Sequence, residues 1–177
     1  MTSAAHSPYP PRQTLGFADN RNRRPWNQCD QQVDPVIHAG LISLTLLLIC
    51  TLIHYEVLSA MKASLARIQF IPRRTKILAV LLGAMGSHFL QIMVFAGAYY
   101  LLRDKFGLGT FGGDFRDLFS SFLYFSTESY TSLGVGDIYP MGALRLLTGI
   151  EALIGLVMIG WTASFTYLEM TRYWEDS

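Results

Sequence analysis

The densest chemistry in the chain lies in Thr131-Ser132-Leu133-Gly134-Val135-Gly136-Asp137, followed by Ile138-Tyr139-Pro140. Glycine takes a positive φ at little steric cost, so Gly134 and Gly136 let a strand change handedness from residue to residue. Such alternation can turn successive carbonyls to one side. Four copies of the strand around an axis would stack rings of carbonyl oxygens able to replace an ion's hydration shell. The candidate ligands are the main-chain oxygens along Thr131, Ser132, Leu133, Gly134, Val135 and Gly136, with the Ser132 hydroxyl at the inner end. One copy cannot close a ring. The strand therefore implies an assembly, most simply a cyclic homotetramer.

The segment just before it is short and apolar. Residues 115–130 contain Leu118, Phe119, Phe122, Leu123 and Phe125. At ~1.5 Å per residue this run is too short to cross a bilayer core of ~30 Å, so it reads as a re-entrant helix. The partial negative charge of its C-terminus would favour a cation at the strand. Polar, glycine-containing backbone at membrane depth is tolerated only where it is buried in protein or lines a wet path.

Three long apolar runs surround these elements. Residues 36–55 and 77–102 contain no Asp, Glu, Lys or Arg, and residues 146–168 contain only Glu151. Each is long enough to span, and backbone groups in lipid need internal partners, so helices are expected. The fold class expected is an all-α integral membrane protein. Three transmembrane helices carry a re-entrant pore helix and filter loop between the last two. In residue numbers, a polar mobile tail covers 1–35, an extra transmembrane helix 36–61 and a basic loop 62–76. An outer helix then covers 77–102, a pore helix 115–130, the filter strand 131–137, an inner helix 141–170 and a short tail 171–177. Lys62, Arg67, Arg73, Arg74 and Lys76 place the 62–76 loop in the cytoplasm and the strand outside. The tail lacks the apolar core of a secretory signal.

Composition agrees. The chain has 177 residues, of which 15% are charged and 51% hydrophobic, with a formal net charge of +1. Soluble domains carry roughly 25% charged residues. The near-zero charge excludes a strongly basic nucleic-acid binder. Two cysteines, Cys29 and Cys50, exclude a disulfide scaffold, and both are expected as free thiols. No nucleophile–base arrangement, metal spacing or phosphate loop is present, so an enzyme is not expected.

Residues 77–170 resemble the pore domain of potassium channels, in particular the bacterial two-helix pore and the related "ion channel" domain. The most specific stretch runs from Ser126 to Pro140. Thr131, Gly134, Gly136, Asp137 and Pro140 match the family pattern T-T-V-G-Y-G-D, a short turn and Pro. The resemblance implies a permeant potassium ion at the filter carbonyls, no other metal or cofactor, and a homotetramer in the plasma membrane. Glu128 matches a pore-helix acid of some members, set behind the filter next to the filter Asp, here Asp137. Gly155 falls near the hinge glycine of the inner helix, with a one-residue deletion after Pro140. Two positions depart. Ser132 stands for the second Thr, and Val135 for the Tyr whose ring braces the filter. A looser filter would discriminate less between potassium and sodium. Tyr124, Phe125 and Tyr130 are candidate substitutes for the missing brace.

Other readings stay open on the residues alone. Glu128 and Asp137 could share a proton, since close carboxylates push one pKa up. Glu151 could face a cavity and concentrate cations, or bond to a neighbouring helix through His88 or Thr148. Gly155 could be a hinge or a packing contact, whereas Gly160, Gly83 and Gly86 read as packing. No spacing of His38, His54 and His88 supports a haem. The function expected is passive cation conduction, with potassium favoured. The alternatives are a weakly selective cation channel and a non-conducting membrane subunit. Whether other subunits join the assembly, what gates it, and what the first helix does are not readable. The chain lacks a helix of regularly spaced Arg, so steep voltage gating is not expected.

Overall fold

A computed structural model describes residues 27–67 and 72–175. Four helices and two short strands follow one another as α1 (Asn27–Arg67), α2 (Arg73–Asp104), β1 (Gly109–Gly113), α3 (Phe119–Tyr130), β2 (Ile138–Gly142) and α4 (Leu144–Glu175). Three stretches are long and apolar enough to cross a membrane: Val36–Ser64, Thr75–Asp104 and Leu144–Thr171. The chain is thus a mostly helical membrane protein. Helix α1 packs on α2 and α4, and the short α3 is wedged between α2 and α4.

The helices outrun the apolar runs that mark them. The tail expected through residue 35 gives way to helix at Asn27, and the loop expected over 62–76 is helical at both ends. The physical reason is that an apolar run marks the lipid-facing part of a helix, not its ends. Met61-Lys62-Ala63-Ser64-Leu65-Ala66-Arg67 consists mostly of strong helix formers and continues α1 beyond the uncharged run 36–55. Residues 1–26 of the tail lie outside the described residues.

The all-α expectation is corrected by β1 and β2, which pair antiparallel with Gly113 opposite Ile138 and Gly109 opposite Gly142. Gly109-Thr110-Phe111-Gly112-Gly113 lacks the β-branched alternation that marks a strand, so nothing local announced it. The pairing takes residues 138–142 out of the inner helix, which starts at Leu144 rather than residue 141. Helix α3 also starts later than residue 115, after the extended Leu118 (φ −128°, ψ 144°).

Residues 115–118 are used otherwise. Phe115 stacks on Phe111 at 5.0 Å, and Arg103 lies 5.0 Å over the Phe115 ring. Arg103 also donates an N–H from each of Nη1 and Nη2 to the Asp117 carboxylate, at 2.8 and 2.9 Å. Phe111 reaches inward, edge-on to Phe122 and Phe125 at 5.6 and 5.0 Å and to Tyr99 at 5.7 Å. This aromatic cluster joins β1, α2 and α3. Below it, Tyr99, Phe95, Phe122, Tyr130, Leu144 and Leu147 are fully buried and hold α3 in place. Cys50 is a buried free thiol in this core, and the Cys29 side chain lies outside the described residues.

Candidate functional site

The site is built on the C-terminal end of α3. The Glu128 carbonyl accepts the Leu133 N–H at 2.8 Å and the Gly134 N–H at 3.4 Å, so the chain folds back over the helix end. Thr131 and Ser132 donate to the carbonyls of Thr127 and Ser129 at 3.1 and 3.0 Å. The Glu128 carboxylate then accepts the Val135 N–H at 3.2 Å. One residue thus holds the loop twice, through backbone and side chain. Positive φ recurs at every second residue: Ser132 (57°), Gly134 (58°) and Gly136 (85°). The alternation expected from the two glycines extends to Ser132, where a non-glycine residue in this region costs about 1–3 kcal/mol.

Asp137 closes the far end of the loop. Its carbonyl accepts the Asp114 N–H at 2.9 Å, and its carboxylate accepts the Ile138 N–H at 3.0 Å and the Tyr124 hydroxyl at 3.2 Å. Glu128 and Asp137 therefore hold different donors and do not bond to each other directly. Burial pushes the Glu128 carboxyl above the ordinary carboxylate value, the Val135 N–H opposes this, and the Asp137 charge adds to the rise. All seven residues from 131 to 137 are exposed in the single chain, including Leu133 at 71% and Val135 at 58%. Of the three aromatic residues considered as braces, Phe125 and Tyr130 are buried, and the exposed Tyr124 touches the loop through its hydroxyl on Asp137.

Glu151 on α4 is 0% exposed and points into the interior of the chain. It accepts hydrogen bonds from Ser126 on α3 and Tyr99 on α2, both at 2.5 Å. Single-chain geometry thus matches the interhelical-bond reading rather than a cavity-facing one, with Tyr99 and Ser126 as partners instead of His88 or Thr148. Thr148 joins one step away, its hydroxyl 3.1 Å from that of Tyr99. Gly155 lies against α3: a Cβ there would run into the Tyr130 carbonyl oxygen. Helix α4 passes Gly155 without a break. The observed contact is packing, and it falls on the residue that precedes Thr131. Gly160 faces open space within the chain.

Sequence reasoning missed a polar cluster one level deeper. His54 on α1, Ser87, His88 and Gln91 on α2, the Tyr130 hydroxyl on α3 and Thr162 on α4 are joined by hydrogen bonds of 2.9–3.4 Å. The signal that could have found it is the presence of uncharged polar residues and histidines inside long apolar helices, where each must find a partner.

Residues 87–171 match a protein-family model described as an ion channel. This segment belongs to the ion-channel pore-domain family. No curated protein and no solved structure matches the chain. The ion-channel segment includes Glu128, the loop 131–137, Glu151, Gly155, most of α2 and nearly all of α4. Membership supports passive passage of ions. Helix α1, with His54, lies outside the matched residues but packs against the ion-channel segment.

Proposed function

We propose that the protein is a passive cation channel with potassium as the favoured ion. In this reading α3 is the re-entrant pore helix and 131–137 the filter strand. Backbone oxygens of Thr131, Ser132, Leu133, Gly134, Val135 and Gly136 replace the water around the ion. The observation that carries the reading is the alternation of positive φ at Ser132, Gly134 and Gly136 on a strand held from behind by Glu128. Exposure of the whole strand in one chain, Leu133 and Val135 included, fits a homotetramer in which neighbouring copies cover these side chains. The protein sits in the plasma membrane among lipids, with the filter outside and the 62–76 segment in the cytoplasm. It needs no cofactor beyond the permeant ion, performs no catalysis and has no call for nucleic acid.

A weakly selective cation channel is the second reading. It is favoured by Val135, whose exposed side chain offers no ring to brace the strand. Flux into liposomes driven by potassium and then sodium gradients separates the two. Gly134→Ala is the control. An L-residue held at φ 58° pays roughly 1–2 kcal/mol in each copy, so the variant is expected to lose flux while still assembling. Potassium flux alone, lost in the variant, supports the selective channel, and equal fluxes support the weakly selective one. No flux from an assembled wild type would sink both and leave a non-conducting subunit.

Glu128 gives a second test. Glu128→Ala removes the acceptor of the Val135 N–H, a loss of about 1 kcal/mol per copy. Potassium flux is expected to decay faster during a sustained gradient. Glu128→Gln retains an acceptor oxygen and is expected to hold steady flux. Equal decay in the two variants would mean that the hydrogen bond does not set filter stability.

A further inference from the structure

Tyr130 is the last residue of α3 and the point from which the proposed filter strand starts. Its side chain is 1% exposed, and its hydroxyl enters the polar cluster. The proton positions of that cluster follow from counting. The Tyr130 hydroxyl donates to Gln91 Oε1 at 3.0 Å, so its oxygen accepts from His88 Nδ1–H at 2.9 Å. A neutral imidazole has one N–H and one bare nitrogen. His88 Nε2 is then bare and accepts the Thr162 hydroxyl at 2.9 Å. The Thr162 oxygen in turn accepts from His54 Nε2–H at 3.2 Å. His54 Nδ1 is left bare and accepts Gln91 Nε2–H at 3.1 Å, which returns the circuit to Gln91. Five side chains from all four helices thus form one closed ring with every proton pointing the same way round.

We infer that this ring is a positioning device for ion passage, with His54, His88, Gln91 and Thr162 as positioning residues that fix Tyr130 and hence the inner end of the filter. The inference rests on the channel reading of α3 and the 131–137 strand. It assigns a role to α1: through His54, the extra helix completes the circuit. Rings of this kind are cooperative, and loss of Thr162 leaves the His88 Nε2 acceptor and the His54 Nε2–H donor idle. Ser87 Oγ, 3.1 Å from His54 Nδ1 and 3.4 Å from Gln91 Nε2, backs up the ring on the α1–α2 side, and no hydrogen bond does so at Thr162 among the described residues. His88, Tyr130 and Thr162 border a 620 Å³ groove lined mainly by apolar residues such as Met85, Phe89, Ile92 and Ile159. The ring also offsets a weakness of the strand. Where Val135 brings no aromatic brace, Tyr130 is held at its hydroxyl by the ring, and its carbonyl lies close against Gly155.

The test measures potassium flux per assembled channel in liposomes, with thermal stability followed in parallel. Thr162→Val keeps the side-chain shape and removes the hydroxyl, whereas Thr162→Ser keeps the hydroxyl. Thr162→Val is expected to lower flux about tenfold, the scale of one net hydrogen bond. Thr162→Ser is expected to retain wild-type flux. Tyr130→Phe, which removes a single oxygen, gives a second route to the same reading if Thr162→Val fails to assemble. His54→Phe is expected to match Thr162→Val, and the double variant to be no worse than either, because the ring is already open. Assembled Thr162→Val channels with wild-type flux would overturn the ring proposal alone. So would a double variant whose losses simply multiply. A wild type that passes neither ion would overturn the channel reading, and this proposal with it.

Discussion

Gly155→Ala is expected to destabilise the protein by about 1–3 kcal/mol, and Gly155→Val to prevent assembly altogether. The added Cβ would meet the Tyr130 carbonyl oxygen, with the Tyr130 carbonyl carbon at 2.8 Å and its Cα at 3.2 Å. These are backbone atoms at the end of α3, and they cannot swing aside as a side-chain tip can. Two effects oppose each other here. Alanine is about 1 kcal/mol better than glycine inside a helix. The clash exceeds this gain, because relieving it means moving α3 away from α4 and dragging Thr131 with it. Gly160→Ala is the matched control, since a Cβ there meets nothing within 4 Å in the chain. That variant is expected to be neutral or slightly stabilising in a thermal melt of the detergent-solubilised protein. If Gly155→Ala melts with the wild type, the contact between α4 and Tyr130 is not tight in solution, and a hinge role regains ground.

Glu151→Ala should lower stability by about 2–4 kcal/mol, combining a cavity with the loss of an acceptor that serves two helices. Ser126 and Tyr99 both donate to this carboxyl at 2.5 Å in a fully buried site. The loss is tempered because Ser126 also reaches the Ile92 carbonyl at 3.0 Å and Tyr99 reaches Thr148 at 3.1 Å. Glu151→Gln keeps the volume and one acceptor oxygen, so it is expected to cost less than half as much. A carboxylate lining an open cavity would behave in the opposite way: alanine would be tolerated in the melt, and both variants would reduce cation flux alike. Measuring melt and flux on the same two variants separates these roles. A stable Glu151→Ala protein with reduced flux would refute the interior role argued here.

Much of the architecture was legible because membrane helices announce themselves. Absence of charge over 36–55 and 77–102, and a single acid in 146–168, is enough to place three helices. The backbone of 131–137 was legible in part: the alternate glycines announced positive φ at Gly134 and Gly136, and Ser132 adds a third such position. The β1–β2 pair was not legible. Its glycine-rich strand carries no periodic pattern, and it exists because Gly113 and Gly109 meet Ile138 and Gly142 across the chain. The late start of α3 has a similar origin, in the pull of Arg103 on Phe115 and Asp117.

The sequence by itself determined the number of long apolar helices and the short helix between the last two. Only the tertiary structure decided which way the helices face. A helix that is apolar all round gives no stripe to say which side turns inward. Glu151 could therefore be read toward a cavity or toward a neighbour until Tyr99 and Ser126 were found around it. Gly155 could be hinge or contact until Tyr130 was found against it. His54, His88 and Thr162 stood far apart along the chain until three helices brought them within hydrogen-bonding reach of one another. Hydrogen bonds are short and directional, so rotation of a few residues around a helix axis makes or breaks such a ring. Composition and spacing do not carry that angle, whereas packing does.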